Sequence, residues 1–226
     1  MFQAAKASNG TFFGDPDYFK YGIVEVTPRN YYRLMETGQA ALLFPGGVRE
    51  VFHGKNEAYK LFWPEKVDFV RVAAKFNATI VPVSAVGAAD SVNIFIDPPD
   101  MIKLPFGLGE RLENSSRSIV PARYDATNDR ELFVPPFALP TPLPARHYFI
   151  FGKPIETRNI DPKDRAACSI AYEEIQNELN RGFIDVLRAR EKDPYKDTAR
   201  RILFELATGK SAPTFSVEDL NKNANL

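Results

Sequence analysis

The chain has 226 residues, enough to bury a full core as one domain, and its 29 Lys+Arg balance 29 Asp+Glu, so no global field draws it to nucleic acid. Hydrophobic residues make up 44% and Phe outnumbers Tyr by 18 to 9, which argues against disorder and for a greasy core with some lipid-facing surface. A single cysteine, Cys168, excludes an intrachain disulfide and any multi-Cys zinc site and fits a reducing compartment.

Residues 1–20 are polar and without clear period, and Met1–Ser8 carries no apolar core of a secretory signal. Gly22–Val26 reads as a short strand stopped by Thr27-Pro28, an N-cap followed by proline at the first helical position. The helix so opened runs through Tyr31, Leu34 and Met35 until Gly38 ends it. Ala40–Phe44 is apolar throughout and is expected to be a central strand. A sharp Pro45-Gly46-Gly47 turn follows, then a loop around Lys55–Trp63. Pro64-Glu65 opens a helix with Phe69, Val72, Ala73 and Phe76 on one face. Thr79–Val83 and Asn93–Ile96 read as a third and a fourth strand. Strands alternating with helices at this spacing predict an α/β fold, a mostly parallel mixed sheet flanked by helices.

Residues 98–146 carry Pro98-Pro99, Pro105 and the run Pro135–Pro144, too dense in proline for helix or central strand. They are expected to form a rigid extended loop packed on the domain or dipping into a lipid surface. His147–Phe151 closes the sheet, with Gly152-Lys153-Pro154 as exit turn. From Pro162 to Lys192, Cys168, Ala171, Ile175, Leu179, Phe183 and Val186-Leu187 recur at helical spacing, with Glu173, Glu174, Glu178, Arg181, Asp185 and Arg188 on the polar side. Pro194 breaks this helix, a shorter one carries Ile202, Leu203 and Leu206 to Gly209, and residues 210–226 read as a frayed tail. The expected organisation is an irregular segment at 1–20, a domain at 21–192, and a helix with tail at 193–226. No run of residues reaches the ~20 apolar positions that span a bilayer, so membrane contact is expected to be peripheral.

Hydrolase, nucleotide and metal signatures are missing. The nearest approach to a Gly-x-Ser-x-Gly elbow, Pro82-Val83-Ser84-Ala85-Val86, lacks both glycines. Neither Walker A nor Gly-x-Gly-x-x-Gly occurs, and two histidines, His53 and His147, make metal clusters improbable. No metal and no cofactor are expected.

The stretch Leu42-Leu43-Phe44-Pro45-Gly46-Gly47-Val48-Arg49-Glu50 has a physical reason to hold a ligand. Paired glycines let the backbone approach closely, N–H groups freed after a strand favour an oxyanion or phosphate, and Arg49 offers a planar fork to phosphate or carboxylate. The plainer reading is a tight turn with an Arg49–Glu50 surface pair.

This stretch resembles the third sequence block of glycerolipid-type acyltransferases, in its diacylglycerol acyltransferase form. Further pieces follow in order: Lys55–Pro64, Phe69–Ala74, Ala78–Val83, His147–Ile155 and Glu191–Tyr195. Together, over residues 18–205, they resemble the acyltransferase half of plant and algal phytyl ester synthases, the esterase/lipase/thioesterase family. The resemblance implies a glycerolipid acyltransferase-like fold lacking its N-terminal part. It also implies transfer of an acyl group from acyl-CoA or acyl carrier protein to phytol or diacylglycerol. The location implied is the chloroplast, at a plastoglobule or thylakoid surface, with peripheral membrane or lipid-droplet contact and no nucleic acid. Phe44, Pro45, Gly46, Gly47, Arg49 and Glu50 are implied to bind the acceptor. Phosphoglycerol-using relatives carry Pro-Glu-Gly-Thr-Arg where this chain has Gly46, which points to a neutral acceptor.

The superfamily's base is a His-x-x-x-x-Asp block, in which His takes the acceptor hydroxyl's proton and Asp fixes the His tautomer. Five residues beyond His53 is Ala58, and five beyond His147 is Gly152. The expectation is therefore a partial acyltransferase domain that is inactive alone, or else a non-catalytic lipid- or acyl-carrier-binding remnant. His53, with Glu50 or Glu57 to orient it, is the nearest candidate for a replacement base, and the plainer expectation is that it supports the site.

Overall fold

The computed structural model describes residues 27–51, 53–65, 68–105, 107–109, 111, 136–143, 145–215 and 220. The expected strand at 22–26, the irregular segment 1–20, much of the proline-rich stretch and most of the tail lie outside the described residues. The helices are α1 (Pro28–Glu36), α2 (Gly47–Val51), α3 (Asp68–Lys75), α4 (Pro98–Ile102), α5 (Arg165–Glu191) and α6 (Thr198–Thr208). The strands are β1 (Thr79–Ile80), β2 (Val83–Val86), β3 (Val92–Ile96), β4 (Phe137–Pro140), β5 (Tyr148–Phe151) and β6 (Ile155–Glu156).

The chain divides into two compact units: Met1–Thr79 with Ile94–Phe137 and Glu156–Tyr172, and Ile80–Asn93 with Ala138–Ile155 and Glu173–Leu226. In the first, Thr27 caps α1 by accepting the Asn30 N–H at 3.1 Å. Pro28 stands where its missing N–H costs nothing. Tyr32 of α1 meets Phe76 edge to face, ring centroids 4.9 Å apart. The buried stripe of α3 is Val70, Ala73 and Ala74, rotated from the expected face. Phe69 instead joins Trp63 and Tyr172 in an aromatic cluster with centroids 5.4–5.7 Å apart. The Tyr172 hydroxyl donates to the Pro64 carbonyl, and Cys168 is buried nearby along α5, its thiol pushed up by that burial.

The core of the second unit lies between α5 and a β2/β5 ladder. β2 and β5 run antiparallel with Val83 opposite Phe151, Ser84 opposite Ile150, Ala85 opposite Phe149 and Val86 opposite Tyr148. Ser84 and Val86 point inward, where the Ser84 hydroxyl donates to the Leu179 carbonyl at 2.9 Å. Gly182 permits this approach, since a Cβ there would stand 2.4 Å from Ser84 Oγ. Ile175, Leu179 and Val186 bury the face of α5 that the period assigned to the core, and Ala189 extends it. Val83 and Ala85 lie on the outer face with Phe149 and Phe151, both of which are exposed. α6 is capped at Asp197, whose carboxylate accepts the Arg200 N–H at 3.0 Å, and ends at Gly209 with φ +66°.

Three expectations need correction. The sheet is not mostly parallel: the described strands pair two by two, β1 with β6, β2 with β5 and β3 with β4, in small antiparallel ladders. The sequence-adjacent strands β2 and β3 are joined by a single 3₁₀ turn, Ala89–Ser91, rather than by a crossover helix. β2 takes its partner from beyond the proline-rich segment and β3 takes its own from within it, so the parallel βαβ arrangement never arises. Ala40–Phe44 forms no strand; Leu42 and Phe44 are exposed and no ladder partner for them occurs among the described residues. The prolines also do less than expected. Pro98-Pro99 sit in the first turn of α4, behind the Asp97 cap, where proline is tolerated. Pro140 ends β4, which among the described residues pairs with β3 alone.

Candidate functional site

Pro45 occupies the second position of a turn closed by the Gly47 N–H donating to the Phe44 carbonyl at 3.0 Å. One of the N–H groups that could have met an oxyanion is therefore already engaged. Gly46 is buried, and a Cβ on it would stand 2.0 Å from the Glu50 carboxyl carbon. Gly47 has φ +54°, the left-handed region that glycine enters freely. The two glycines thus let α2 start at once and fold Glu50 back over the turn. Phe44 stays exposed at the rim.

Arg49 does not pair with Glu50. Its Nη2 donates to Glu57 Oε1 at 2.8 Å, and its Cζ lies 3.8 Å from the Phe62 ring centroid, a cation–π contact. Glu57 Oε2 accepts the Gly54 N–H at 2.6 Å, so this carboxylate is held from two sides. The hydrogen bond from Arg49 lowers the Glu57 pKa below the ordinary glutamate value. Glu50 Oε1 accepts the Phe62 N–H at 2.9 Å. The end of the motif is thereby tied to Glu57 by an ion pair and to Phe62 by a ring face and a backbone N–H.

The loop's far side is anchored on α4. Asp97, buried, caps α4 by accepting the Asp100 N–H at 3.1 Å, and its Oδ2 accepts the Lys55 N–H at 3.1 Å. Lys55 Nζ donates to Asp100 Oδ2 at 2.6 Å and lowers that exposed carboxyl's pKa. Between these anchors Asn56 and Tyr59 take φ of +61° and +62°. Asn tolerates that region, but for a Tyr it costs about 1 kcal/mol or more. Turn bonds from the Glu57 N–H to the Gly54 carbonyl and from the Lys60 N–H to the Glu57 carbonyl hold the strained segment.

His53 sits half-buried with Nδ1 3.0 Å from the Gly54 carbonyl, a bond that protonated Nδ1 donates. Glu57, one of its two candidate orienters, is committed to Arg49 and the Gly54 N–H. Ser84, the nearest approach to a nucleophile elbow, is buried with its hydroxyl proton directed at Leu179. No cluster of three metal-binding side chains occurs among the described residues. No helix there is long and apolar enough to cross a membrane.

Sequence reasoning missed a second polar constellation, in the other unit. Asp193 Oδ2 accepts the Tyr148 hydroxyl at 2.7 Å, Thr214 Oγ1 at 3.2 Å and Arg146 Nη1 at 3.3 Å, and Oδ1 accepts the Tyr195 N–H at 2.7 Å. Arg146 continues to the Ala212 and Pro213 carbonyls at 2.8 and 2.9 Å. Burial first, and then the Asp193 carboxylate, push the Tyr148 phenol well above its ordinary pKa. These contacts pin residues 212–214 beside β5. In the sequence, Asp193-Pro194 after a long helix names a turn and not its partners, and the matched pieces His147–Ile155 and Glu191–Tyr195 do not say that they meet.

A family model described as "Diacylglycerol acyltransferase" matches residues 18–167. The chain is 35% identical over 207 residues to "Phytyl ester synthase 1, chloroplastic" of Arabidopsis thaliana, covering 88% of this chain and 29% of that protein. To "Phytyl ester synthase 2, chloroplastic" of the same plant it is 38% identical over 203 residues, covering 87% and 28%. The chain thus spans less than a third of the length of these relatives. No solved structure matches.

Proposed function

The chain belongs to the diacylglycerol acyltransferase family, and from that premise we propose that it carries the acceptor side of an O-acyltransferase site. The acyl donor is acyl-CoA or acyl carrier protein, and the acceptor is a neutral lipid alcohol, phytol or diacylglycerol. Phe44, Pro45, Gly46, Gly47, Arg49 and Glu50 form the acceptor loop. The observation that carries this reading is the loop itself: Phe44 stays exposed where it enters the Pro45–Gly47 turn, and the Arg49 guanidinium that follows has its charge balanced within the fold by Glu57. Such a rim suits an apolar chain ending in a hydroxyl. In the reaction the hydroxyl oxygen attacks the thioester carbonyl, its proton passes to a base, and the thiolate leaves.

His-x-x-x-x-Asp occurs nowhere in the 226 residues. The base therefore comes from outside them, His53 supports the loop, and the chain by itself makes no ester. The names of the relatives favour the chloroplast, and the lipophilic acceptor favours peripheral contact with a plastoglobule, thylakoid or lipid-droplet surface.

Chemical rescue tests the reading. With acyl-CoA and phytol the chain should form no ester above the protein-free rate. Added imidazole, a base in solution, should produce ester above the rate of imidazole alone, and Arg49→Ala should remove that excess. Ester formed without imidazole and abolished by His53→Ala would overturn the assignment of the base. Saturable phytol binding with no rescue would favour the non-catalytic binding remnant.

A further inference from the structure

A guanidinium is the side chain best shaped for a phosphate, because its parallel N–H groups match two phosphate oxygens. Arg49 stands in the loop with its charge already paired, through an N–H on Nη2. One edge donates to Glu57 Oε1 at 2.8 Å and the plane rests on the Phe62 ring. Glu57 is not free to yield: its second oxygen holds the Gly54 N–H at 2.6 Å, three residues away on the same strained segment. Glu57 is also kept ionised into acid by Arg49, so the pair stays neutral as a whole across the physiological range. Of the two other nearby cations, Lys55 is tied to Asp100 at 2.6 Å, and Lys60 acts on Glu57 through its charge. A phosphorylated lipid entering this loop would have to displace a carboxylate that the backbone holds in place.

We infer that Glu57 is the specificity-determining residue of the loop: by occupying Arg49 and cancelling its charge, it excludes phosphate-bearing acceptors and leaves the loop to uncharged alcohols. The residue acts through Arg49 and touches no reacting atom. The inference rests on the reading of this loop as the acceptor side, but its test reads anion binding and not turnover, so the two stand or fall separately.

Inorganic phosphate is titrated into the full chain while the Arg49 Nε–H and Nη–H resonances are followed by NMR. In the wild-type chain the Nη resonances should be in slow exchange, as for a paired guanidinium, and phosphate should leave them unmoved. In Glu57→Gln, which keeps an acceptor oxygen for the Gly54 N–H, phosphate should bind saturably and at least about tenfold more tightly than in wild type. Glu57→Asp, which keeps the charge, should stay silent, and Glu57→Gln with Arg49→Ala should lose the gained site. Circular dichroism establishes that each variant is folded. Saturable phosphate binding at Arg49 in the wild-type chain would overturn the inference without recourse to any variant. So would rapid Nη exchange in wild type, or a folded Glu57→Gln that ignores phosphate.

Discussion

Two arginine–carboxylate pairs, one in each unit, look alike in chemistry and differ in what they do. Arg49 and Glu57 meet at 2.8 Å with side chains 31% and 28% exposed, whereas Arg146 and Asp193 meet at 3.3 Å with side chains 19% and 0% exposed. The shorter pair is the weaker contributor to the fold. Water competes for both partners of Arg49–Glu57, and such pairs contribute about 0–1 kcal/mol. Asp193 has no water to return to, so its phenol, hydroxyl, guanidinium and backbone donors are obligatory partners. Burial, and not distance, separates a charge that holds the fold from one left open to water.

The comparison breaks first at Asp193. Asp193→Ala should cost about 3–5 kcal/mol in urea unfolding, because it leaves Arg146 charged and the Tyr148 hydroxyl unpaired. A loss no larger than that of Arg49→Ala would erase the contrast. Next in size, Gly182→Ala should cost about 1–3 kcal/mol, since the new methyl meets Ser84 and the helix must lift from β2. Arg49→Ala should lower stability by less than about 1 kcal/mol while removing the imidazole-rescued ester formation. Equal loss of folding and function would return Arg49 to a structural role.

The smallest effects are in pH dependence, with opposite signs at the two sites. Tyr148 has a raised pKa, so its contribution is complete below the ordinary tyrosine value of 10.0 and is lost as pH climbs from there through the folded value. Chemical denaturation across the alkaline range should show this fall, and Tyr148→Phe should flatten it. Glu57 has a lowered pKa, so its contribution is present above the ordinary glutamate value of 4.5 and is lost as pH falls through the folded value. Glu57→Gln should shrink the acid limb, to which Asp100 and Glu191 also contribute, and leave the alkaline one unchanged.

Local signals were legible in the sequence, and partners were not. Thr27-Pro28, the period of α5 and Gly209 each act within a few residues, and each appears where the sequence puts it. Strand pairing is decided by where the chain returns. β2 takes its partner from beyond a long proline-rich stretch, and a short run such as Val83–Val86 carries no mark of direction. Ala40–Phe44 shows the same limit, having strand composition but no ladder partner among the described residues. At the site, the Pro-Gly-Gly turn was readable from three residues. The pairing of Arg49 with Glu57 rather than with adjacent Glu50 was not, because it depends on a left-handed Asn56 and Tyr59 that no period announces.

The most direct test of the account maps phytol on the molecule. Phytol is titrated into isotope-labelled chain, with backbone and side-chain shifts read for the wild type and for Arg49→Ala. The account predicts saturable shifts concentrated between Phe44 and Phe62, abolished by Arg49→Ala with an unfolding midpoint close to that of the wild type. Shifts centred on Tyr148 and Asp193 would contradict it, as would phytol binding that survives the loss of Arg49.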